Sequence, residues 1–228
     1  MNWLRAGLCD LAIAGGADEL NRIPLAGFNS LGIMSDQPCR PFDKDRNGLN
    51  LGEGAGVMIL ENSDRAAGRR RDPALTLAGY GTACDGYHMT APRPDGMGLK
   101  LAIRHALRQA GLEPEDIAFV NSHGTATMDN DRVEGKVLSE IFDRALPFCS
   151  TKGYTGHTLG AAGGLEAVFT ALGLEIGWIP KSLGFSVPDP DIPARPVTKK
   201  TEINGTAALS TSLAFGGSNS AVIIRKQS

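Results

Sequence analysis

Short apolar runs alternate along the chain with segments in which apolar residues recur at helical spacing. The apolar runs predict buried strands at 8–16, 54–61, 74–80, 117–120, 146–150, 206–212 and 220–225. Helical spacing predicts helices at 98–110, 131–142 and 160–173, and a short exposed helix or turn at 63–71. Because strands alternate with helices, the pattern indicates an α/β fold. It ends in two strands that are too close together for a helical crossover.

Two of these predicted elements need neighbours that the pattern does not supply. The strand at 8–16 begins almost at Met1, and it and the strand at 54–61 would have open edges and bare apolar faces. We therefore expect a separate chain, or the remainder of a longer polypeptide, to cover them. The predicted helix at 160–173 is so rich in Gly and Ala that it must be buried and closely packed.

Composition and charge narrow the class of protein. Hydrophobic residues make up 42% and charged residues 21% of the chain, which is typical of a soluble globular protein, and a net charge of -2 gives no reason to expect nucleic acid. The widely spaced Cys9, Cys39, Cys84 and Cys149 predict scattered buried thiols in a reducing compartment rather than a disulfide frame or a zinc site. Since no apolar run approaches the roughly 18 residues of a membrane span and no signal-like start is present, we expect a cytoplasmic protein without membrane contact.

Two of the four histidines follow predicted strands. His123 comes after the strand at 117–120 and His157 after the strand at 146–150, and the carboxyl ends of strands in α/β sheets are where catalytic groups gather. The pair could converge as hydrogen-bond donors to a developing oxyanion, or both could simply cap turns. His105 is expected on a solvated helix surface and His88 in a turn. Neither His123 nor His157 has HxxxH or HxH spacing, so no metal site is predicted.

Lys152 and Glu166 flank His157 in a stretch dominated by small residues. A lysine close to a histidine disfavours the imidazolium form and keeps the ring neutral. A glutamate in the following helix would pair with this lysine, which is otherwise costly to bury. We therefore expect a charged pair that keeps His157 neutral and sets its tautomer.

Several segments occur in the order that one enzyme family shows. They are 12–17, 40–43, 52–56, 85–90, 121–127, Asp131 with Glu134, 150–166, 188–190 and 215–219. On these segments, which run over nearly the whole chain, the sequence resembles the elongating type of β-ketoacyl-acyl carrier protein synthase, the condensing enzymes of fatty-acid and polyketide synthesis. The resemblance implies the thiolase-like fold, with a complete second βαβαβαββ half at 74–228 and the tail of the first half, including its last strands, at 1–73.

The resemblance also implies a Cys-His-His mechanism. The cysteine carries the acyl chain as a thioester, and the two histidines promote decarboxylation of malonyl-carrier protein by hydrogen-bonding its thioester carbonyl as an enolate forms. His123 and His157 match the histidines, Lys152 matches the supporting lysine, and Glu166 matches its partner. No metal or other cofactor is implied, because the substrates are carried on the phosphopantetheine of acyl carrier protein.

Substrate-binding positions follow from the same match. Thr125 and Thr127 match residues that bind the pantetheine arm, and Phe215, next to Gly216, matches a gating phenylalanine whose backbone N–H helps form the acyl oxyanion hole. Candidate docking residues for the acidic carrier protein are Arg40, Arg46 and 69–71. Family members are usually dimers, so the resemblance implies a homodimer or a heterodimer.

The nucleophilic cysteine has no counterpart in the sequence. In the family it lies in a Thr-Ala-Cys-Ser-Ser-Gly-like turn before the strand that begins here at Leu8, and none of the four cysteines has such a turn. We expect an enzyme that is inactive as this chain alone and needs a complementary N-terminal half or subunit bearing the cysteine. The alternative is a non-catalytic subunit like a chain-length factor, which shapes the acyl tunnel and binds carrier protein. Thiolases and initiating synthases share the architecture but would place Asn or Cys where this chain has His.

Overall fold

A five-stranded sheet, a two-stranded ribbon and the helices around them make up the fold. The computed structural model describes residues 1–62, 74–142 and 146–227. The strands are β1 Leu11–Asp18, β2 Gly54–Glu61, β3 Leu75–Cys84, β4 Ile117–Asn121, β5 Phe148–Cys149, β6 Trp178–Ile179, β7 Thr201–Glu202, β8 Ala207–Ala214 and β9 Ser218–Lys226. The helices are α1 Asn2–Arg5, α2 Arg22–Ser30, α3 Met97–Ala110, α4 Met128–Ile141, α5 Lys152–Thr155 and α6 Ala162–Ile176. Within those ranges, 3₁₀ turns lie at Pro114–Asp116, Leu159–Ala161 and Phe215–Gly217.

The five-stranded sheet has the order β3-β9-β8-β4-β5. β4 runs parallel to β8 and β5, and β9 runs antiparallel to β3 and β8. Together with α3, α4 and α6, and with the small β6–β7 pair inserted before β8, these strands follow the order βαβαβαββ. The α/β prediction and the complete second half are therefore confirmed.

Helices cover both faces of this sheet. α3 packs on one face through a stripe that includes the fully buried Leu99, Ala102 and Ile103. Gly81 of β3 permits the close approach, because a Cβ at this position would lie 2.0 Å from the carbonyl oxygen of Ala102. α6 packs on the opposite face, where Leu174 is buried. β4 is buried throughout, because it is a central strand with helices on both sides.

The ribbon formed by β1 and β2 packs its inner face on α6. The two strands are antiparallel, and their backbones touch the helix: a Cβ on Gly164 of α6 would lie 2.9 Å from the backbone nitrogen of Gly16, and a Cβ on Gly56 would lie 2.4 Å from the carbonyl carbon of Gly164. The predicted close packing of the Gly-rich helix is confirmed. The glycines of the helix lie where its backbone contacts the backbone of the ribbon.

The outer face of the ribbon is exposed, so the prediction that both strands are buried is wrong for one of their two faces. Ile13 and Ile59, which oppose each other across the ribbon, are 74% and 70% exposed, and Leu11 and Val57 beside them are exposed as well. The reason is that no element among the described residues lies over this face. The expected bare apolar face is present.

Other differences from the predicted elements have local causes. β1 begins at Leu11 rather than at residue 8, because Gly7 has φ +68° and the chain turns there after α1. α2 was not expected, because its nine residues include Pro24 and Gly27 and it buries no side chain. The predicted element at 63–71, with the arginines of 69–71, lies outside the described residues.

The segment Leu159–Ile176 is long and apolar enough, by length and composition alone, to cross a membrane. This corrects the expectation that no apolar run reaches that length. The core helices of soluble proteins pass the same test. α6, which forms most of the segment, lies between the sheet and the ribbon and buries the polar side chains of Glu166 and Thr170. The helix is therefore packed on other elements along part of its surface, while its Leu172 and Ile176 side chains are exposed.

Candidate active site

A cavity of about 630 Å³ lies beside the carboxyl ends of β4 and β8. Both histidines that follow predicted strands line it, together with Thr125, Thr127 and Phe215. The ring centroids of His123 and His157 are 5.1 Å apart, and the ring planes are nearly perpendicular at 86°. The sequence expectation that the two histidines converge agrees with this geometry.

The loop that carries His123 is held by a buried carboxylate on α4. Glu134 accepts the backbone N–H groups of His123 and Gly124, both at 2.8 Å, and the hydroxyl of Thr211 at 2.7 Å. Burial raises the pKa of Glu134, and these three donors act in the opposite direction. The hydrogen bonds fix the main chain of His123 against the sheet.

A second buried carboxylate fixes the rest of that loop. Asp131 accepts the backbone N–H groups of Phe42, Thr125 and Ala126 at distances between 2.6 and 3.2 Å. Ala126 has φ +67°, a conformation that costs a non-glycine residue energy and persists only where the surroundings impose it. Asp131 and Glu134 were part of the sequence resemblance but were not predicted as site residues. Their roles here lie in shaping the loop.

Lys152 joins the loop to α6. Its ammonium group donates to the carbonyl oxygen of His123 at 2.6 Å and to a carboxylate oxygen of Glu166, and its Nζ lies 3.1 Å from His123 Nδ1. Lys152 is only 1% exposed, and Glu166 is also buried. Because an ammonium group can only donate, Nδ1 of His123 must accept, and the ring proton therefore sits on Nε2. The expected charged pair is present, but the ring whose tautomer it sets is that of His123 and not that of His157.

His157 sits in a turn after α5 and is held by a different part of the chain. Its backbone N–H donates to the carbonyl oxygen of Asn50 at 2.7 Å, and its carbonyl oxygen accepts the N–H of Gly52 at 3.0 Å. Its Nδ1 accepts the backbone N–H of Leu159 at 3.3 Å, so this ring also carries its proton on Nε2. Both imidazoles are thus Nε2–H donors.

Both rings are kept neutral. The pKa of His157 is lowered to about 3, first by burial and then by the charge of Lys152. The pKa of His123 is lowered well below its ordinary value by burial, by Lys152 and by the second histidine, in that order. The sequence expectation named the lysine as the cause, and the structure shows that burial is the larger one. At neutral pH each ring is an uncharged donor.

The predicted substrate-binding residues lie at the same cavity. The hydroxyl oxygens of Thr125 and Thr127 are 2.8 Å apart. Phe215 is half exposed at the cavity wall, and Gly216 beside it has φ +78° and donates its N–H to the carbonyl oxygen of Met89. Sequence reasoning missed Phe28 of α2, whose ring stacks on Phe215 with centroids 5.5 Å apart. No sequence signal marks this contact, because α2 itself was not predicted.

The two individual arginines predicted to dock a carrier protein differ in exposure. Arg40 is exposed. The expectation for Arg46 is wrong, because its side chain is buried and its guanidinium donates to Asp189 at 2.5 Å and to the carbonyl oxygens of Asp43 and Met128. Arg46 holds loops together inside the fold and is not available to a surface partner.

None of the four cysteines is among the described residues that line the cavity. Cys39 and Cys149 are buried, and burial raises the pKa of Cys39 and raises that of Cys149 to about 12. Such thiols are poor nucleophiles. The prediction of buried thiols is wrong for the other two. Cys84 is exposed, with its Sγ 3.5 Å from the carbonyl oxygen of Gly216, and Cys9, near the start of β1, is half-buried.

Comparison with known proteins finds one family over most of the chain. The family description "Beta-ketoacyl synthase, N-terminal domain" matches residues 1–66, and "Beta-ketoacyl synthase, C-terminal domain" matches residues 75–186. The chain is 36% identical over 233 aligned positions to 3-oxoacyl-[acyl-carrier-protein] synthase 2 of Staphylococcus aureus, with 98% of this chain and 56% of that relative covered. The chain therefore spans about half the length of that relative.

Solved structures show the same relationship in three dimensions. A chain of the ishigamide ketosynthase/chain length factor is 35% identical, with a TM-score of 0.94, and the match covers 100% of this chain and 56% of the other. A structure of a type II PKS acyl-carrier protein in complex with its ketosynthase matches with a TM-score of 0.95 at 29% identity, over 100% of this chain and 59% of the other. These neighbours confirm the thiolase-like fold, and with the two matched domains they show that the chain belongs to the β-ketoacyl synthase family.

Proposed function

We propose that this chain forms the C-terminal part of a ketosynthase that condenses an acyl thioester with malonyl-acyl carrier protein, with decarboxylation. One observation carries the proposal: two neutral imidazoles, 5.1 Å apart, both have their ring proton on Nε2 and both line one cavity. Two adjacent donors of this kind suit a single oxygen atom that becomes negatively charged during a reaction.

The chemistry follows from these donors. In malonyl thioester the bond between the α-carbon and the carboxylate breaks, carbon dioxide leaves, and the electron pair enters the thioester as an enolate. Nε2–H of His123 and Nε2–H of His157 donate to the enolate oxygen. The α-carbon then attacks the carbonyl carbon of the acyl thioester, and the thiolate that held the acyl group leaves. Since both rings are neutral near pH 7, neither delivers its proton to the enolate prematurely.

The acyl-bearing sulfur has to come from residues beyond this sequence, in the same polypeptide or in a separate chain. No cysteine lies among the described cavity residues, and the exposed apolar face of the ribbon is suited to packing against such a part. We propose that residues 1–73 belong to the first half of the thiolase-like architecture and residues 74–228 to the second. The missing remainder of the first half would cover Ile13 and Ile59.

The decisive experiment combines this chain with a cysteine-bearing N-terminal part and measures carbon dioxide release together with β-ketoacyl product. We expect turnover, and we expect His123→Ala and His157→Ala each to lower it by about a hundredfold or more, since one donor to an oxyanion contributes that much. His105→Ala is the matched control, because His105 lies on α3 outside the cavity. A stable complex without turnover, in which the histidine variants change nothing, would sink the proposal.

Assembly through the ribbon is tested separately. Ile13→Lys and Ile59→Lys place a charge on the exposed face and should abolish binding of the N-terminal part while leaving the fold of this chain intact. Leu101→Lys, at an exposed apolar position on α3 away from the ribbon, is the control and should bind normally. Normal binding by all three variants would show that the face is not the contact.

A non-catalytic role is the second candidate. Chain length factor is a component of one of the matched solved structures, so a subunit that shapes the acyl tunnel is compatible with the fold. The retained set of His123, His157, Lys152 and Glu166 favours catalysis, because a purely structural subunit has no evident use for it. Iodoacetamide or cerulenin labelling of a thiol in the assembled complex separates the two candidates: labelling that abolishes turnover supports the enzyme, and its absence supports the structural subunit.

The remaining features of the proposal concern partners. Acyl carrier protein would deliver its phosphopantetheine arm past Thr125 and Thr127, and Phe215 with Gly216 would border the acyl chain. Arg40, which is exposed, is proposed to contact the acidic carrier protein. The same role for the arginines at 69–71 stays a prediction. A homodimer or heterodimer in the cytoplasm also stays a prediction. A carrier protein in complex with its ketosynthase among the matched structures supports the kind of partner.

A further inference from the structure

A short segment of the first-half tail touches the loops of both histidines. This strap, residues 47–52, donates the N–H of Gly48 to the carbonyl oxygen of Ala126 at 3.1 Å, beside the His123 loop. Farther along, the carbonyl oxygen of Asn50 and the N–H of Gly52 bind the N–H and the carbonyl oxygen of His157. The strap therefore runs from the His123 loop to the main chain of His157.

The two histidines depend on the strap to different degrees. His123 takes its main-chain position from Glu134, a residue of the second half. Both main-chain polar groups of His157 are bound to the strap, which forms a parallel bridge with it. The contact is close: a Cβ on Gly52 would lie 2.0 Å from the carbonyl oxygen of Thr155. A displacement of the strap would therefore move His157 and leave His123 in place.

The side chain of Asn50 holds the strap. Its Oδ1 accepts the backbone N–H of Cys39 at 2.7 Å, and its amide nitrogen donates to the carbonyl oxygens of Ser35 at 3.1 Å and Gln37 at 3.0 Å. Both amide hydrogens are thus used. Only an amide of this length offers one acceptor and two donors at these places, since a carboxylate would oppose two carbonyl oxygens.

We propose that Asn50 is a positioning residue for His157: its side chain ties the strap to the 35–39 loop, and its carbonyl oxygen holds the main chain of the histidine. The inference rests on the proposed function, which gives His157 its role. Its first test does not depend on that role, because it measures the position of His157 in the full chain alone.

The first measurement is amide hydrogen exchange in the full chain. Asn50→Leu, which keeps the volume and removes all three side-chain bonds, should speed exchange of the His157 amide by about tenfold or more, because its hydrogen-bonded partner becomes mobile. The His123 amide should exchange at its original rate. Asn50→Asp, which keeps the acceptor but sets a carboxylate oxygen against two carbonyl oxygens, should also speed exchange of the His157 amide. Asn2→Ala, which removes one side-chain hydrogen bond to Tyr80, is the control. Equal acceleration at both histidines, or none at His157, overturns the inference.

The second measurement uses the assembled ketosynthase. Asn50→Leu should lower kcat by about tenfold or more with KM for the acyl substrate unchanged, because a displaced donor affects the transition state and not substrate binding. A rise in KM at constant kcat contradicts a positioning role. If the assembled wild-type enzyme shows no turnover, the proposed function fails, while the exchange result for His157 stands on its own.

Discussion

Removing the ammonium group of Lys152 should destabilise the fold more than removing its carboxylate partner. Burial raises the pKa of Glu166 to about 7 even beside Lys152, so Lys152→Met leaves a carboxyl group that must either stay charged without its cation or take up a proton. Breaking a buried pair in this way costs about 3–5 kcal/mol of the free energy of unfolding. Glu166→Gln leaves the ammonium bound to the carbonyl oxygen and Nδ1 of His123, so we expect a smaller loss of about 1–3 kcal/mol.

The double variant separates pairing from packing. Lys152→Met combined with Glu166→Leu removes both charges at similar volume, and such replacements are often neutral or stabilising. We therefore expect the double variant to unfold at a higher urea concentration than Lys152→Met alone. With Glu166→Leu as the second single variant, the double-mutant cycle should give a coupling energy of about 2 kcal/mol or more. Equilibrium urea unfolding followed by circular dichroism measures the wild type, the two single variants of the cycle and the double variant, with Glu166→Gln measured beside them. Additive losses in the double variant would refute the reasoning, because they would mean that the two charges do not compensate each other.

Three further predictions concern pH, packing and the cavity wall. The pKa of His157 is about 3 in the folded chain and ordinarily 6.5, so the unfolded chain binds more protons between these pH values. The free energy of unfolding should therefore fall as pH falls from about 6.5 towards 3, by up to about 1.4 kcal/mol per pH unit from this group. The urea midpoints of the wild type and of His157→Gln should converge over this range. Gly56→Ala should destabilise the chain by about 1–3 kcal/mol because its Cβ meets the α6 backbone, whereas Gly27→Ala, where a Cβ has open space inside α2, should be neutral or stabilising; thermal unfolding compares them. Phe28→Ala should free the ring of Phe215 and broaden the range of acyl lengths that the assembled enzyme accepts; an unchanged range in a chain-length assay would contradict this.

The spacing of apolar residues was enough to locate the elements that have a clear signal within their own sequence. β2 matches its predicted bounds, and α3 differs from its prediction by one residue, because continuous apolar runs and a capped amphipathic stripe are local signals. The exposure of Ile13 could not be predicted from the apolar run at 8–16. An apolar strand has the same sequence pattern whether the described residues cover both of its faces or only one. α2 was missed because it includes Pro24 and Gly27 and buries no side chain, and because its ring contact, Phe28 on Phe215, joins positions far apart in the chain.

The candidate site followed the same division. The convergence of His123 and His157 could be expected from strand ends, which bring distant residues to one edge of a sheet. The burial of Arg46 could not be predicted, because the sequence around an arginine in a loop does not show whether carbonyl oxygens and Asp189 will surround it. The strap at 47–52 was also invisible, because its hydrogen bonds to the histidine loops are made by main-chain atoms.

The main-chain contacts of Gly16 and Gly56 with α6 bear on how the protein can be dissected. A cut between the two matched domains, after residue 66, looks natural from the family boundaries. Such a cut would break the covalent link, but the ribbon would stay packed on the helix, because the glycines there allow close contact between the two backbones. A stable C-terminal fragment would therefore retain β1 and β2, and the more workable point of division lies upstream of Leu11.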